Sequence, residues 1–471
     1  MSNGVQYAGE YDLLECKLFS PNGEITDLLT DVVVMEIDMF EDIFMSSISG
    51  TVIVIDIKNI ISKLPIVGQE RLSLKVATPT LEKKEDIIDF TESRAFTVNK
   101  VGGRQEISGE SQIYKISFVS PELVSNTRKR LSKSYVKSKS NIGEIVFDLL
   151  AEDIYGIQTS KEVFIEETVG NRALISTNSN PFEYISRLTK EAISKGGSPH
   201  YLFFENKHGI HFRTLQSLYK HPIKAEFHSG DRGFDEYNDP SEINSGKLIQ
   251  SYKRILQYSL NTKNDLLINS TVGVFGGKVY EHDIYRKKFK VKTFNYFDEE
   301  QYNNNERISP NKPYSTNVMG NMDTTLNEEI TNSKIHLIPI SSNSDDFDSN
   351  YELNGTPNQQ YKTLLDRQSR FVELYDGISI NMTVHGNTTL TAGDMVDISL
   401  PTLGDVVDGE ENKYYSGKYM IKRLRHIFEA GPSGKLHKIN MEVVTDGLPI
   451  KIKSGGGDIL VSSPTSSPIY V

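Results

Sequence analysis

The sequence predicts a mainly β protein that contains two duplicated β-barrels, a small α+β domain between them and a loop-rich insertion. Three observations lead to this prediction. A hairpin pattern that starts at Phe96 returns at Tyr419, alternating strands precede each hairpin, and helical periodicity dominates only between the copies. The copies lie far apart in the chain, unlike the short adjacent repeats of a solenoid. This arrangement indicates a duplicated domain with other elements inserted.

The repeated hairpin occupies residues 96–121 in the first copy and residues 419–444 in the second. In both copies apolar residues take every second position on two arms, which is typical of an antiparallel hairpin. Alternating strands precede the hairpins at residues 32–39, 45–56, 378–385 and 395–400. Each copy therefore offers at least four strands, expected to run up and down in chain order, which is enough for a small barrel.

The composition is that of a globular protein with several cores. The chain has 471 residues, of which 37% are hydrophobic and 24% charged, so about three domains or more are expected. No apolar run approaches the ~20 residues of a membrane helix, and the first residues lack the pattern of a signal peptide. The net charge of −11 argues against tight DNA binding and is compatible with a surface along which DNA slides.

Cys16 is the one cysteine in the sequence. A single cysteine excludes an intramolecular disulfide and fits a reducing cytoplasm. Because it falls in an apparent strand, residues 13–19, we expect a buried and chemically inert thiol.

Between the two copies the apolar period changes to that of helices. Residues 141–154 form a predicted helix, in which Asn141 and Glu144 can cap each other. A second helix is expected to start after Asn180 and to continue to residue 193, followed by a hairpin over residues 201–213. A third predicted helix, residues 361–375, has one face made of Leu364, Leu365, Gln368, Phe371, Val372 and Tyr375.

The order of these elements resembles that of a known family. The α+β domain, whose second helix opens at residues 180–185, is followed by a predicted strand at residues 247–256, an insertion, the third helix and strands that include residues 388–396. This order is similar to that of the baseplate hub protein of contractile-tailed bacteriophages and of the hub portion of type VI secretion spike proteins. The resemblance covers about residues 10–450.

The resemblance implies a homotrimer in which each subunit carries two tail-tube-like β-barrels. Three chains with two barrels each form a pseudo-six-fold ring, which matches a six-fold tube. The implied domains are a first barrel at 1–126, the α+β domain at 127–245, a split second barrel at 246–275 and 377–450, an insertion at 276–376 with a loop-rich region and helix 361–375, and a flexible tail at 451–471.

The implied function is that of a structural baseplate hub that adapts the six-fold tail tube to the three-fold central spike and lets DNA pass during injection. Its partners would be further copies of itself, the spike, the tail tube or tube-initiator protein, and baseplate wedge or sheath-associated proteins. DNA and the tape-measure protein would pass transiently, without stable membrane insertion. The protein would be made in the host cytoplasm and reside in the tail baseplate of the virion.

Motifs that carry chemistry are incomplete in this sequence. Gly277 and Lys278 match part of a phosphate loop, but its first glycine and its hydroxyl residue are replaced by valines. A calcium-loop start at residues 346–351 lacks the required glycine, and His208 and His211 have no third ligand at metal spacing. We therefore predict no catalysis, no metal and no cofactor. Two alternatives stay open, a tail-associated cell-wall hydrolase and a receptor- or carbohydrate-binding tail protein.

Polar residues on the barrel strands are the first candidates for a functional surface. One face of each strand must be core, and the other must look into the ring or to solvent. Acidic and neutral groups in a lumen would keep a polyanion from sticking. The lumen-facing candidates are Glu36, Asp38, Glu41, Asp42, Asn381, Thr383 and His385.

A basic run between the first barrel and the α+β domain supplies the second set of candidates. Such a run is most often a solvated connector. The sharper hypothesis is a patch that meets an acidic surface of a neighbouring tail protein. The candidate contact residues are Arg128, Lys129, Arg130 and Lys133.

Overall fold

The structure is a computed structural model, which describes residues 7–60, 66–79, 83, 86–108, 111–135, 141–151, 156–171, 174–229, 245–262, 265–284, 287–298, 306–314, 331–340, 362–402, 411–431 and 434–450. The predicted mainly β fold with an α+β insertion is confirmed. Within the described residues, one sheet has fourteen strands, and the remaining strands form sheets of three, three and two.

Some strands of the large sheet, such as the one over residues 49–56, alternate buried and more exposed residues as the sequence pattern predicts, whereas the strand over residues 201–206 is buried throughout. The bounds of the described strands are β1 (Asp12–Phe19), β2 (Ile25–Asp27), β3 (Val33–Asp42), β4 (Ser49–Asp56), β5 (Arg71–Ala77), β6 (Ile88–Phe90), β7 (Phe96–Ser108), β8 (Ser111–Val119), β9 (Ser134–Tyr135), β10 (Glu162–Ile165), β11 (Leu174–Ile175), β12 (Tyr201–Asn206), β13 (Gly209–Thr214), β14 (Ile223–His228), β15 (Ile255–Thr262), β16 (Gly276–Asp283), β17 (Lys288–Asn295), β18 (Ile335–Ile340), β19 (Ile378–His385), β20 (Met395–Ser399), β21 (Gly417–Gly431) and β22 (Gly434–Thr445).

The helices lie mainly between the two groups of strands. Those described are α1 (Leu28–Asp31), α2 (Pro121–Arg128), α3 (Ile142–Ala151), α4 (Pro181–Thr189), α5 (Leu215–Tyr219), α6 (Ser245–Lys253), α7 (Leu266–Val272) and α8 (Arg367–Asp376), with a 3-10 turn at Glu92–Arg94 and a π-helical turn at Lys362–Asp366. Each helix within the described ranges is too short or too polar to cross a lipid bilayer.

The duplication is present in the strand order. We call β3, β4, β5, β7 and β8 the first β-unit, and β15, β19, β20, β21 and β22 the second β-unit. In both units the first strand lies beside the second, then come the fifth, the fourth and the third. The expected up-and-down order is therefore wrong, because the fifth strand lies beside the second and separates it from the fourth.

The irregularities of the strands are duplicated as well. The pairing of the first strand slips between Val34 and Glu36 in the first β-unit, and between Ile255 and Gln257 in the second. The pairing of the fourth strand with the fifth slips after Val98 in the first β-unit and after Ile421 in the second. Such bulges bend and twist a strand at one place. Their recurrence fixes which residues of the two units are equivalent.

The two β-units are parts of one sheet. β21 pairs with β3 antiparallel, in register from Arg423 opposite Asp42 to Glu429 opposite Glu36. We call this pairing the seam. The hydrogen bonds of the sheet thus continue from one unit to the other, a connection that the sequence pattern did not predict.

Each β-unit encloses its own hydrophobic core. Cys16, on β1, is buried in the first core as predicted, and burial raises the pKa of its thiol to about 12. Fully buried members of the first core include Ile37, Met39, Val52, Ile116 and Phe118. Fully or almost fully buried members of the second core include Ile380, Met382, Val396, Ile439 and Met441.

The α+β region forms largely as predicted. Asn141 and Glu144 cap α3 reciprocally, since each side chain accepts a hydrogen bond from the other residue's backbone N–H at 2.8 and 3.1 Å. The predicted hairpin is present as β12 and β13. The helix after Asn180 ends at Thr189, short of residue 193, and its first turn is capped by the side chain of Asn126, which accepts from Phe182 N at 2.8 Å.

Two segments differ from the prediction. Residues 247–253 belong to α6, and the strand starts only at Ile255, so the expected strand at 247–256 is displaced. The insertion contains β16, β17 and β18 in a three-stranded sheet that was not predicted. Gly273, with φ +86°, ends α7 in the left-handed conformation that favours glycine, so the stretch resembling a phosphate loop is a helix end and a strand. Residues 341–361, with the calcium-like start, and the tail 451–471 lie outside the described residues.

The third predicted helix buries a polar face as well as its apolar one. Arg370 donates to Asp446 at 3.0 Å, and Glu373 accepts from Arg307 at 3.2 Å. These groups are almost completely buried, whereas Tyr375, assigned to the buried face, is 51% exposed. Part of the contact that this helix makes with its surroundings is therefore formed by buried ion pairs, where apolar side chains were predicted.

We predict that Ile116→Asp and Ile439→Asp each abolish folding. Both side chains are 0% exposed, so each substitution buries an unpaired charge, which costs more than about 4 kcal/mol. Circular dichroism should detect no cooperative thermal transition. The matched control is Ile113→Asp on the same strand, whose side chain is only partly buried on the other face. If the two core variants melted at the control's temperature, the assignment of these residues to the cores would be wrong.

Candidate functional site

An open groove of about 530 Å³ crosses the seam on the face of the sheet opposite the cores. Side chains of β3, β4, β15, β19, β21 and β22 line it, so both β-units contribute. Four of the predicted lumen-facing residues border the groove, namely Glu41, Asp42, Asn381 and Thr383. The structure therefore brings together candidates from both ends of the chain.

Arg425 dominates the electrostatics of the seam. Its Nε donates to Asp38 Oδ1 at 2.8 Å and its Nη2 donates to Asp38 Oδ2 at 2.9 Å, a bidentate contact. Nη2 also donates to Glu36 Oε1 at 3.1 Å. The hydrogen bonds to Asp38 raise the pKa of the guanidinium further above its ordinary value. Two carboxylates of the first β-unit thus share one cation of the second.

Asp38 is consequently not an open lumen group, which corrects the prediction. It is 4% exposed, and Thr51 Oγ1 also donates to it at 3.2 Å. Glu36 keeps partial exposure, and its burial together with nearby Asp38 raises the pKa of its carboxyl. Replacing both acids by lysine would break the ion pairs that join the two β-units.

Arg423 and Glu442 were missed by the sequence analysis. Arg423 is 58% exposed at its side chain and contacts Glu442 Oε2 at 2.5 Å, while Lys422 reaches the other oxygen at 3.0 Å. The sequence does contain a pattern that indicates Arg423 as an outward-facing residue, since Arg423 and Arg425 alternate with apolar Leu424 along one strand. The groove therefore carries both signs of charge, where acidic and neutral groups alone were expected.

Although Glu41 is among the residues that border the groove, its side chain is buried away from solvent. β3 continues to Asp42 instead of turning at this point, so Glu41 shares the inward face of Ile37 and Met39 and is 2% exposed. Its carboxylate accepts from Thr391 Oγ1 at 2.5 Å, from Ala392 N at 2.9 Å and from Lys207 N at 3.1 Å. Burial outweighs these bonds and raises its pKa to about 7.

Lys207 connects the hairpin of β12 and β13 to the second β-unit. Its Nζ donates to the backbone oxygens of Thr388 at 2.6 Å and Thr389 at 2.7 Å. Burial lowers the pKa of the ammonium to about 8, even though Glu41 opposes the shift. The neighbouring Asn206 donates from Nδ2 to Ala392 O at 3.1 Å. The hairpin turn is therefore held between the two units.

A second buried ion cluster fixes the same hairpin to the first β-unit. Glu205 contacts Lys161 Nζ at 2.5 Å and accepts from Ser120 Oγ at 2.9 Å and from Ile48 N at 3.1 Å. Lys161 also contacts Glu122 at 2.7 Å. Burial raises the pKa of Glu205, while Lys161 opposes that shift. One hairpin thus bonds to both β-units by buried polar groups.

The remaining histidine candidates have structural surroundings. His385 lies further along β19, outside the lining of the groove, and burial lowers its pKa. His211 stacks between Phe164 and Phe204 at centroid distances of 4.7 and 4.8 Å, and burial lowers its pKa to about 3. Burial lowers the pKa of His208 to about 4. Within the described ranges, no three His, Cys, Asp or Glu side chains form a cluster that could hold a metal.

The basic run is only partly free for a partner. Lys129 donates to the backbone oxygen of Gly156, and Lys133 Nζ lies 5.2 Å from the ring centroid of Tyr135. Arg128 and Arg130 are exposed at and after the end of α2. The partner role of these four residues stays a prediction, carried best by the two arginines.

The structure is similar to solved structures of phage tail and type VI secretion proteins. The tail protein from Neisseria meningitidis MC58 matches with a TM-score of 0.49 and 10% identity over 93% of this chain and 98% of that protein. The 43 kDa tail protein of prophage MuSo2 from Shewanella oneidensis matches with a TM-score of 0.47 and 11% identity over 93% and 99%.

A type VI secretion system component from E. coli matches with a TM-score of 0.40 and 9% identity over 93% of this chain and 76% of that protein. No family model matches the sequence, and no curated protein is significantly similar to it. At 9–11% identity and with TM-scores of 0.49 or less, this likeness carries no argument about what the chain does or binds.

We predict that Arg425 and Asp38 are energetically coupled across the seam. A double-mutant cycle of Arg425→Ala and Asp38→Asn, measured by urea unfolding, should give a coupling energy of about 1–3 kcal/mol, because Asp38 is buried. The matched cycle of Arg423→Ala and Glu442→Gln should give less than about 1 kcal/mol, since Arg423 is mostly exposed. Equal coupling in both cycles would contradict the prediction.

We also predict a pH dependence that belongs to Glu41. The folded state binds the proton of Glu41 more tightly than the unfolded state does, because its pKa is raised from 4.5 to about 7. The contribution of this proton to the free energy of unfolding is therefore full below pH 4.5 and is lost as the pH rises through about 7. Glu41→Gln does not titrate. The free energy of unfolding of the variant, relative to the unmodified protein, should therefore rise by about 1–3 kcal/mol between pH 5 and pH 8.

The control for this titration is Glu226→Gln. Glu226 is exposed and hydrogen-bonded to Lys253, which holds the pKa of its carboxyl below the usual value. The free energy of unfolding of Glu226→Gln, relative to the unmodified protein, should not rise between pH 5 and pH 8. Parallel pH profiles for Glu41→Gln and the unmodified protein would show that Glu41 does not titrate there.

Proposed function

We propose that this protein is the structural baseplate hub of a contractile phage tail. In this role it is a homotrimeric, pseudo-six-fold ring that adapts the six-fold tail tube to the three-fold central spike and lets DNA pass during injection. One observation supports the proposal above the others. The two β-units have the same strand order and share one bulge in the first strand and one in the fourth, and they join edge to edge in one sheet.

A repeated unit inside one chain is a means of matching two symmetries. Head-to-tail contacts between equivalent units form closed rings when the rotation between them divides a full turn. Two units in each of three chains supply six equivalent positions for a six-fold tube. The α+β domain and the insertion occur once in each chain and therefore three times in the proposed trimer, which matches the symmetry of a three-fold spike.

The groove face of the sheet is the proposed lumen surface. Asp42, Asn381 and Thr383 border it, and its carboxylates are accompanied by Arg423 and Arg425. A surface of compensated charge, on a chain of net charge −11, attracts a polyanion weakly and so favours passage over binding. Glu36, partly exposed beside Arg425, belongs to the same surface, whereas Asp38 and Glu41 support it from within.

The other assignments follow from this role. The partners are the central spike, the tail tube or tube-initiator protein, and wedge or sheath-associated proteins, with Arg128 and Arg130 as candidate contacts. The proposed domains keep the bounds given by the resemblance. The protein acts through large interfaces, not through catalysis, and is located in the tail baseplate after synthesis in the host cytoplasm.

Native mass spectrometry and negative-stain imaging test this proposal. The protein, alone or with its spike and tube-initiator proteins, should have the mass of three chains and form a ring with a central hole wide enough for duplex DNA. Cell-wall turbidity assays should detect no hydrolysis by the same preparation. A monodisperse monomer under all these conditions, or hydrolysis that one alanine substitution abolishes, would overturn the proposal.

A further inference from the structure

The second half of β21 has a backbone partner that the equivalent half of β7 lacks. β21 pairs with β20 through its first residues and with β3 from Arg423 onward. Its counterpart β7 pairs with β5 through Phe96 and Thr97, and Val98 N donates to Glu70 O at 2.9 Å. From Asn99 to Ser108, no described residue pairs with the side of β7 that faces away from β8.

The matching edge is found at the other end of the large sheet. β15 occupies the position in the second β-unit that β3 has in the first, and its one strand partner among the described residues is β19. β3, by contrast, lies between β4 and β21. Within the described ranges, the chain thus contains one seam and two strand edges that could form a second seam.

The side chains at these edges are exposed where their equivalents are buried. The duplicated bulges make Leu260 of β15 equivalent to Met39 of β3, and Val101 of β7 equivalent to Leu424 of β21. Met39 is 0% exposed and Leu424 is 3% exposed, whereas Leu260 is 36% exposed and Val101 is partly exposed. Unpaired strand edges with apolar side chains are templates for pairing with another chain.

We propose that β7 of one copy of this chain pairs antiparallel with β15 of a second copy, forming an intermolecular seam equivalent to that between β21 and β3. This inference rests on the homotrimer proposed above and identifies the surface that closes it. The occupant is a second copy because the chain already joins equivalent strands in this way, and each copy offers one edge of each kind. The contact is therefore head to tail, the kind that closes into rings.

The equivalence also gives the register. Arg425 lies opposite Phe40 in the existing seam. Their equivalents are Gly102 on β7 and Asn261 on β15, so these two residues should lie opposite each other between two copies. Directly opposite residues of antiparallel strands have Cα atoms about 4.5–5.5 Å apart, a distance that a disulfide can bridge.

Disulfide cross-linking tests the register. A Cβ at Gly102 would meet only Lys100 Cε, at 3.6 Å, so Gly102→Cys leaves the monomer undisturbed. The variant with both Gly102→Cys and Asn261→Cys, oxidised alone or with the spike and tube-initiator proteins, should give covalent dimers and trimers on non-reducing gels. Cys16 is 0% exposed and should not contribute. The out-of-register control combines Gly102→Cys with Leu256→Cys, about five residues or 17 Å further along.

A charge at the edge supplies a test that does not depend on cross-linking. Leu260→Lys should cause loss of the trimer while the monomer keeps its thermal transition, because a lysine would be buried only on assembly. Leu14→Lys is the matched control, since Leu14 is 52% exposed on β1, away from both edges.

The outcomes separate this inference from the proposed function. A trimer without the Gly102–Asn261 cross-link, or one that persists in Leu260→Lys, overturns the strand pairing and leaves the hub role standing. A monomer under every condition overturns both. Cross-links that appear equally with Leu256→Cys, or that continue beyond the trimer into long ladders, contradict the proposed register and closure.

Discussion

Seven residue pairs between β3 and β21 join parts of the chain that are 387 positions apart where Arg425 meets Asp38. Register in a sheet decides which side chains face the core and which face outward. This pairing therefore sets both the groove and the buried position of Glu41. A buried carboxylate is tolerated because three donors reach it, and one of them is the backbone N–H of Lys207. The seam thus requires the α+β hairpin to be in place.

The hairpin of β12 and β13 connects the two β-units, a role that was not predicted from its sequence. Its residues Glu205, Asn206 and Lys207 bond to the first β-unit, to the second, or to both. Removing one partner from such a buried ionic cluster is far more damaging than the modest net gain from forming it. The cluster therefore acts less as a source of stability than as a device that specifies how the two β-units sit relative to the α+β region.

Periodicity predicted the strands well and their neighbours poorly. Alternation located β3, β19 and both hairpins, and the reciprocal cap of Asn141 and Glu144 was found from spacing alone. Alternation carries no information about which strand lies beside which, so the up-and-down order was wrong, and the pairing of the two β-units through β3 and β21 was not foreseen. The assignment of Glu41 to an open surface failed for a related reason. Its place depends on whether β3 continues past residue 39 to Asp42, and those last residues pair with β21, distant in sequence.

Only the part of the groove that depends on strand alternation was predicted, because alternation does not show which distant strands lie side by side. Asp42, Asn381 and Thr383 follow from outward-facing positions, but the neutralising arginine of Asp38 comes from the other end of the chain. Buried polar pairs such as Arg370 with Asp446 were likewise hidden from a search for apolar faces. Long-range ion pairs leave no local pattern, because either partner alone resembles an ordinary surface charge.

The duplicated bulges have a consequence for shape. A bulge inserts one residue against a partner strand and raises the local twist, so a sheet curves most where its bulges lie. Here they recur at equivalent places in both β-units, at Asn99 and at Lys422 in the fourth strands. β7 carries two further slips, after Gly102 and after Glu106, that β21 lacks, so the first β-unit has more places of added twist than the second. The radius of any ring built from these units would then depend on a few inserted residues.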